Sequence, residues 1–295
     1  MTTLDELSAL IAHHAELVGP SLVGVGEGFR GSGFVIGPGQ VLTNAHNLRR
    51  GETTLTSTDG SRLPARLVGM DEERDLAVLA VETGPRPALP WSEGSLRVGS
   101  PVLAAAFLPP AGVRVTLGFV SAIAQSFRGP GGRRVGGAVE HTAPLAPGSS
   151  GGPLLDLNGA VVGVNTHRLG EGFYLAQPAD AAFRERVAAL ARGEVPPRRP
   201  RLGVVVAPPW AARRLRRLVG LPEADGILVR AVEEGSLAET AGLREGDLIV
   251  EMAGQSVTDP DVIGEVLAAA RGPITVRVLR GASEVTLTIP VSPPG

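Results

Sequence analysis

Hydrophobic positions along this 295-residue chain change their spacing several times. Over residues 3–18, Leu4, Leu7, Leu10, Ile11 and Leu17 recur at helical intervals, which predicts an amphipathic helix that Pro20 stops. From Ser21 to Pro178 short apolar runs alternate with Gly, Pro, Ser and Asn-Gly turns: "SLVGV", "GSGFVIG", "VLTNAH", "ARLVGM", "DLAVLAV", "PVLAAAF", "VTLGFVSAI", "PLLDLNGAVVGV" and "FYLAQ". Runs this short predict an all-β barrel or sandwich, and about 160 residues suffice for two small barrels. Residues 179–193 read as a second helix ended by Gly193. "EVPPRRP" at 194–200 is a stiff, polar linker. Beyond it, strands at 226–232, 247–252, 274–280 and 284–290 mix with helices at 211–219 and near 259–270. The expected organisation is an N-terminal helical segment (1–19), a β domain (20–193), the linker (194–200) and an α+β domain (201–295).

Chemistry concentrates in "APLAPGSSGGPLLDLNGAVVGVNTH", residues 143–167. Gly148-Ser149-Ser150-Gly151-Gly152 formally fits G-x-S-x-G, but that motif must lead from a strand into a long helix. Here Pro153 and an Asn-Gly hairpin signal follow instead. A serine nucleophile needs a histidine base oriented by a carboxylate. Of the five histidines, His13 and His14 read as solvated helix residues, whereas His46 closes the apolar strand of "VLTNAHN". Asp75 opens the strand "DLAVLAV", where a carboxylate is largely buried. The chain order His46, Asp75, Ser150 is that of the chymotrypsin-like double β-barrel, with the site between the barrels.

Composition narrows the alternatives. Hydrophobic residues make up 43% of the chain, enough for true cores, and the net charge of −2 provides no bulk attraction to nucleic acid. All 28 basic residues are arginine, and four of them lie in "WAARRLRRLVG" (210–220), which reads as a solvated helix face. Cysteine is absent, which excludes disulfides, thiolate catalysis and cysteine-ligated metals. No apolar run reaches the roughly 18 residues of a membrane span. Asp5 and Glu6 stand where a signal peptide carries positive charge, so the chain as it begins here is expected in the cytoplasm, and in the periplasm or outside the cell if the start lies upstream.

"GSGFVIGPGQVLTNAH", "DLAVL", "LRVGSPVLA", "GFVSAI" and "PGSSGGPLLDLNGAVVGVNT" together resemble the HtrA/Deg serine proteases over residues 20–180. The resemblance implies Ser150 as nucleophile, His46 as base and Asp75 as orienting acid, with Gly148 and Ser150 supplying oxyanion N–H groups and Ser149 shaping the loop. It implies an endopeptidase for unfolded or damaged polypeptides, serving protein quality control without metal or organic cofactor. The alternative is an inactive peptide-binding or chaperone-like protein on the same scaffold. Two departures stand out. Ala146 and Ser149 occupy asparagine positions of the family pattern. Tyr174 replaces a glycine beside the expected substrate pocket, whose other members are Pro144, Leu145, Thr166 and His167. With no acidic residue in 143–147, that pocket is expected to take small or medium aliphatic side chains. His141 and His167 read as partly exposed.

"RLGVVV" (201–206) and "GILVRAVEEGSLAETAGLREGDLIVEMAGQSV" (226–257) resemble a PDZ domain. The resemblance places a carboxylate-binding nest at Arg201-Leu202-Gly203-Val204, a ligand-pairing edge at Val204–Val206 and a helical wall at Val262 and Val266 or Leu267. It implies C-terminal peptides as ligands, regulation of cleavage by them, and a homo-oligomer, a trimer by family habit.

Overall fold

The computed structural model describes residues 2–28, 30–48, 53–128, 134–170, 172–194, 200–207 and 209–291. The chain divides into two compact units, Met1–Pro196 and Pro197–Gly295. Residues 195–199 of the expected linker lie outside the described residues.

The first unit begins with α1 (Thr3–Val18), capped by reciprocal hydrogen bonds between Thr2 and Asp5. Two barrels follow. The first closes β1 (Leu22–Val25), β2 (Gly31–Gly37), β3 (Gln40–Thr43), β4 (Thr53–Ser57), β5 (Arg62–Asp71) and β6 (Leu76–Val81) in the order β1-β2-β3-β6-β5-β4. The second closes β7 (Pro101–Leu108), β8 (Gly112–Arg128), β9 (Arg134–His141), β10 (Pro153–Leu155), β11 (Val161–Arg168) and β12 (Tyr174–Pro178) in the order β10-β11-β12-β9-β8-β7. Strands β4 and β9 escaped the sequence pattern. "TTLTS" carries one large apolar residue, and "RVGGAVEH" is interrupted by two glycines.

Each barrel holds its own interior: Val23, Val35, Val41, Leu55 and Leu79 fill the first, and Val102, Val120, Val139, Leu154 and Ala176 the second. A third cluster joins them, in which Phe34, Leu42 and Leu76 of the first barrel meet Leu103, Phe107 and Val164 of the second. Trp91 packs edge-on against Phe34 and against Phe183, which lies on α2 (Ala181–Ala191). This shared core fixes the seam at which the candidate site sits.

The apolar stripe of α1 differs from expectation. Leu4 and Leu17 are 76% and 51% exposed, while Ile11, Val18 and His14 face the barrels. His14 is buried, not solvated, and its Nε2 lies 3.0 Å from the Leu157 carbonyl. The helix meets the barrels along the row of residues 11, 14 and 18, so a stripe counted from leucines alone is rotated.

The second unit is an antiparallel sheet in the order β13 (Val204–Ala207), β14 (Ile227–Val232), β15 (Asp247–Met252), β17 (Ile274–Arg280), β18 (Ser283–Ile289), with β16 (Gln255–Ser256) paired to β15. Helices α3 (Pro209–Leu218), α4 (Leu237–Thr240) and α5 (Pro260–Ala269) accompany it. The short α4 was missed, although Ser236 and Glu239 spell its start: the Ser236 hydroxyl accepts the Glu239 N–H. Arg216 of α3 corrects the solvated-face reading. It is buried and donates to the Pro222 and Gly281 carbonyls, while Arg213 and Arg217 pair with Asp225 and Glu223.

Candidate active site

His46 lies on the one-turn helix Ala45–Asn47, directly after β3. Its backbone N–H donates to Asp75 Oδ1 at 2.9 Å, and its Nδ1 lies 2.7 Å from Asp75 Oδ2. A carboxylate oxygen accepts, so Nδ1 carries the hydrogen and Nε2 keeps a free lone pair. Asp75 is 1% exposed, whereas the His46 side chain is 37% exposed. The Asp75 backbone sits in the left-handed region at φ 55°, and its carbonyl is fixed by Asn44 Nδ2 at 2.8 Å. That strained entry to β6 aims the carboxylate at the seam. The Thr166 hydroxyl donates to Asp75 Oδ2 at 3.1 Å, so the buried carboxylate is met by three donors.

Ser150 ends the loop that crosses from the second barrel to this pair. Its carbonyl accepts the Ser32 N–H at 2.8 Å and Asn47 Nδ2 at 2.9 Å, and the Ser32 hydroxyl donates to the Gly148 carbonyl at 3.1 Å. The first barrel therefore grips the loop on both sides of Ser149. This grip explains Gly151. A Cβ there would lie 2.2 Å from the Ser32 carbonyl and 2.5 Å from Thr43 Oγ1, at a φ of 87°. The Ser150 hydroxyl donates to the Thr166 carbonyl at 3.1 Å. Among the described residues no hydrogen bond joins it to His46. Ser149 is buried and its N–H donates to the Ala146 carbonyl at 3.2 Å. The N–H groups of Gly148 (φ 88°) and Ser150 donate to nothing among the described residues. Two free donors flank the hydroxyl, an arrangement able to receive a developing oxyanion.

Sequence reasoning missed Ser32, Thr43 and Asn47, which hold the loop. Thr166, expected in the substrate pocket, is 2% exposed; its side chain is committed to Asp75 and its carbonyl faces the Ser150 hydroxyl. Ser32, Thr43 and Asn47 all fall within or beside "GSGFVIGPGQVLTNAHN", and small polar residues inside apolar strands were the available signal. Pro144 is exposed, Leu145 packs against the interior of the second barrel, and Tyr174 is buried. His167 is exposed and stacks on Phe127, with ring centroids 5.6 Å apart. His141, expected partly exposed, is fully buried: its Nε2 lies 3.0 Å from Asn165 Oδ1, and burial pulls its imidazole down to about 4.

In the second unit β13 pairs with β14 on one edge only, which leaves its other edge open among the described residues. The Leu202 and Gly203 carbonyls accept from Ala238 and Glu233, while the Leu202 and Gly203 N–H groups donate to nothing among the described residues. Arg201 pairs loosely with Glu233 at 3.7 Å. Val262 is half-buried and Val266 is buried, in the same apolar cluster as Leu202, Val204 and Val206. A Cβ on Gly203 (φ 77°) would lie 2.2 Å from Ser236 Cβ, so a side chain there disrupts the fold before it reaches a ligand.

Among the described residues no group of three or more His, Asp or Glu side chains gathers to hold a metal ion, and no helix is long and apolar enough to cross a membrane.

Residues 31–164 match the family described as trypsin-like peptidase domain, and residues 228–280 match the PDZ domain. The serine protease HhoA of Synechocystis is 34% identical over 279 residues, covering 88% of this chain and 70% of that protein. A DegP-like periplasmic serine endoprotease of Halomonas elongata is also 34% identical, over 88% of this chain but only 56% of its own length. The solved HtrA-type protease AlgW with a bound decapeptide aligns over 97% of this chain and 99% of its own, with a TM-score of 0.62 and 25% identity. AlgW with a tripeptide aligns with a TM-score of 0.57 and 29% identity, covering 97% of this chain and 98% of its own.

Proposed function

The chain belongs to the HtrA family of trypsin-like serine proteases that carry a PDZ domain, and we propose that Ser150 is its nucleophile, His46 its general base and Asp75 the carboxylate that orients the base. The observation that carries this assignment is the His46–Asp75 pair at 2.7 Å, set against a loop that presents Ser150 with two free N–H groups.

The chemistry follows from these contacts. The Ser150 hydroxyl turns from the Thr166 carbonyl toward His46 Nε2, exchanging one acceptor for another. As Oγ attacks the substrate carbonyl, Nε2 takes its proton, and Asp75 stabilises the imidazolium. Negative charge developing on the carbonyl oxygen is met by Gly148 and Ser150 N–H, each worth about 3 kcal/mol in the transition state. His46 then gives the proton to the departing amine. Water, activated by the same nitrogen, hydrolyses the ester left on Ser150.

The substrates are unfolded or damaged polypeptides, and the PDZ unit takes C-terminal peptides along β13. AlgW structures with bound peptides lend support by similarity. The assembly is a homo-oligomer, in which the exposed Leu4 and Leu17 of α1 face a neighbouring subunit. Light scattering of wild type beside a Leu4→Asp, Leu17→Asp variant tests that assembly; a monomer in both ends the idea.

A fluorophosphonate probe and a casein digest test the catalytic assignment. Wild type and Ser149→Ala label and cleave; Ser150→Ala and His46→Ala do neither, yet unfold at wild-type temperature. Cleavage by Ser150→Ala, with a dead Ser149→Ala, would move the nucleophile to Ser149. Unlabelled wild type that still binds peptide would favour the inactive, chaperone-like alternative.

A further inference from the structure

Tyr174 and His141 form a stacked pair at the mouth of the second barrel. Their ring centroids are 5.8 Å apart at 28°. They face each other across β12 and β9 in direct register, and on the β11 side Tyr174 is opposite Arg168. Strand alternation settles where the rings lie. Val139 and Ala176 belong to the interior of the second barrel, and His141 and Tyr174 are two residues away from them on the same strand faces. The barrel interior at this end is therefore filled by two aromatic rings, 0% and 7% exposed.

This end of the barrel also adjoins Ser150. The Thr166 carbonyl sits 3.1 Å from Ser150 Oγ, Arg168 follows two residues later, and Ala143 opens the nucleophile loop two residues after His141. The substrate pocket expected from the family resemblance, with Pro144, Leu145 and His167 among its members, borders the 143–148 segment, the end of β11 and the start of β12. Tyr174 is the first residue of β12 and is 7% exposed. The ring packs against His141 and Arg168. His141 is locked through Nε2 to Asn165 Oδ1 at 3.0 Å, Asn165 Nδ2 is locked to the Pro153 carbonyl at 3.0 Å, and the Arg168 guanidinium carbon lies 6.0 Å from the Tyr174 centroid.

We propose that Tyr174, braced by His141, plugs the primary specificity pocket, so that this protease cleaves after alanine, serine and glycine and rejects leucine, phenylalanine and arginine. The proposal rests on Ser150 as nucleophile. It narrows the small-to-medium aliphatic range expected from the sequence, because the structure adds a second ring behind the first. Opening space for a branched or aromatic side chain requires moving two packed rings, and each excluded methylene costs on the order of tenfold or more in discrimination. His141 acts here as a positioning residue that touches Tyr174 and not the substrate.

The test is a peptide-library digest read by mass spectrometry, run with wild type and Tyr174→Gly, each first titrated with a fluorophosphonate. Wild type should cleave after Ala, Ser and Gly with kcat/KM at least 100-fold above Leu and Phe. Tyr174→Gly should raise cleavage after Leu and Phe at least tenfold for the same fraction of labelled Ser150. Wild type that labels at Ser150 and cleaves after Leu or Phe as readily as after Ala overturns the plug, whether or not the variant folds. Failure to label Ser150 overturns the nucleophile assignment itself, and the plug with it. His141→Gln should relax the preference in the same direction but less; an unchanged preference would remove His141 from the proposal.

Discussion

Asn47 Nδ2 donates to the Ser150 carbonyl at 2.9 Å, and so ties the nucleophile loop of one barrel to the turn that carries His46 in the other. The same amide reaches Thr43 Oγ1 at 2.9 Å, and Thr43 in turn donates to the Ser32 carbonyl at 2.7 Å. Nucleophile and base are thereby held in one hydrogen-bonded frame rather than on two independent loops. Asn47→Ala should lower kcat by about 10–100-fold with a small change in KM, because misplacement is felt at the reacting atoms. It should also cost about 1–3 kcal/mol of stability from the acceptors it leaves buried. Stopped-flow acylation with urea unfolding checks both, and an unchanged kcat would mean that the other contacts suffice to hold the loop.

Asp75→Asn should keep the packing and still disable the site. An amide presents a donor as well as an acceptor, so it can hold His46 with the hydrogen on Nε2, where a base is needed. A loss of about 10⁴-fold in kcat is expected from the wrong tautomer. The check is kcat across pH 6–9. A variant within tenfold of wild type would show that Thr166 and the backbone orient His46 without the charge.

Legibility in the sequence followed the physics of each signal. Strands β1–β3 and β6 were plain because their apolar runs stand between glycines and turns, and the PDZ strands were plain for the same reason. Strands β4 and β9 were hidden, since Thr and Gly positions gain their order from ladder pairing with distant neighbours, as in Thr54 with Pro64 and Ala138 with Gln125. His46 and Asp75 stood out because residue type and chain order report chemistry, and the family resemblance singled out Ser150 from its neighbour Ser149. Their supports did not. That Thr166 serves Asp75 and that Asn47 serves Ser150 are contacts across 91 and 103 residues, which no local pattern encodes. His141 misled because a histidine near a strand end is usually solvated; here Asn165, 24 residues on, satisfies one nitrogen and allows burial.

His141 also sets a pH dependence. In the folded chain it takes a proton only near 4, because burial outweighs the hydrogen bond to Asn165, whereas the ordinary value is 6.5. Between those values the unfolded chain holds the extra proton, so acid favours unfolding. The stability tied to neutral His141 is complete above pH 6.5 and is lost as pH falls toward 4, for a total of about 3 kcal/mol. Urea unfolding at pH 7.5, 6 and 4.5 should show wild type losing that increment and His141→Gln losing less. Parallel pH curves for the two proteins would remove His141 as the cause.

The open edge of β13 provides the last prediction. A peptide adding a strand beside Val204–Ala207 would direct its terminal carboxylate at the unpaired N–H groups of Leu202 and Gly203, and its last side chain toward the cluster that contains Val262 and Val266. Gly203 is a poor position for testing this, because any side chain strikes Ser236. Val262 is the better one: it is half-buried on α5, so Val262→Asp brings a charge to the apolar face while the buried Val266 and Leu267 keep the helix in place. Calorimetric titration of a peptide ending in valine should give binding to wild type and at least tenfold weaker binding to Val262→Asp, with both proteins melting within a few degrees of each other. Equal affinity would exclude this groove. Casein cleavage with and without the peptide then separates two roles for a groove that binds. A rate change requires the peptide to favour the active arrangement over the resting one by its differential affinity, and a tenfold change corresponds to about 1.4 kcal/mol. An unchanged rate would leave the PDZ unit as a tether that holds substrate.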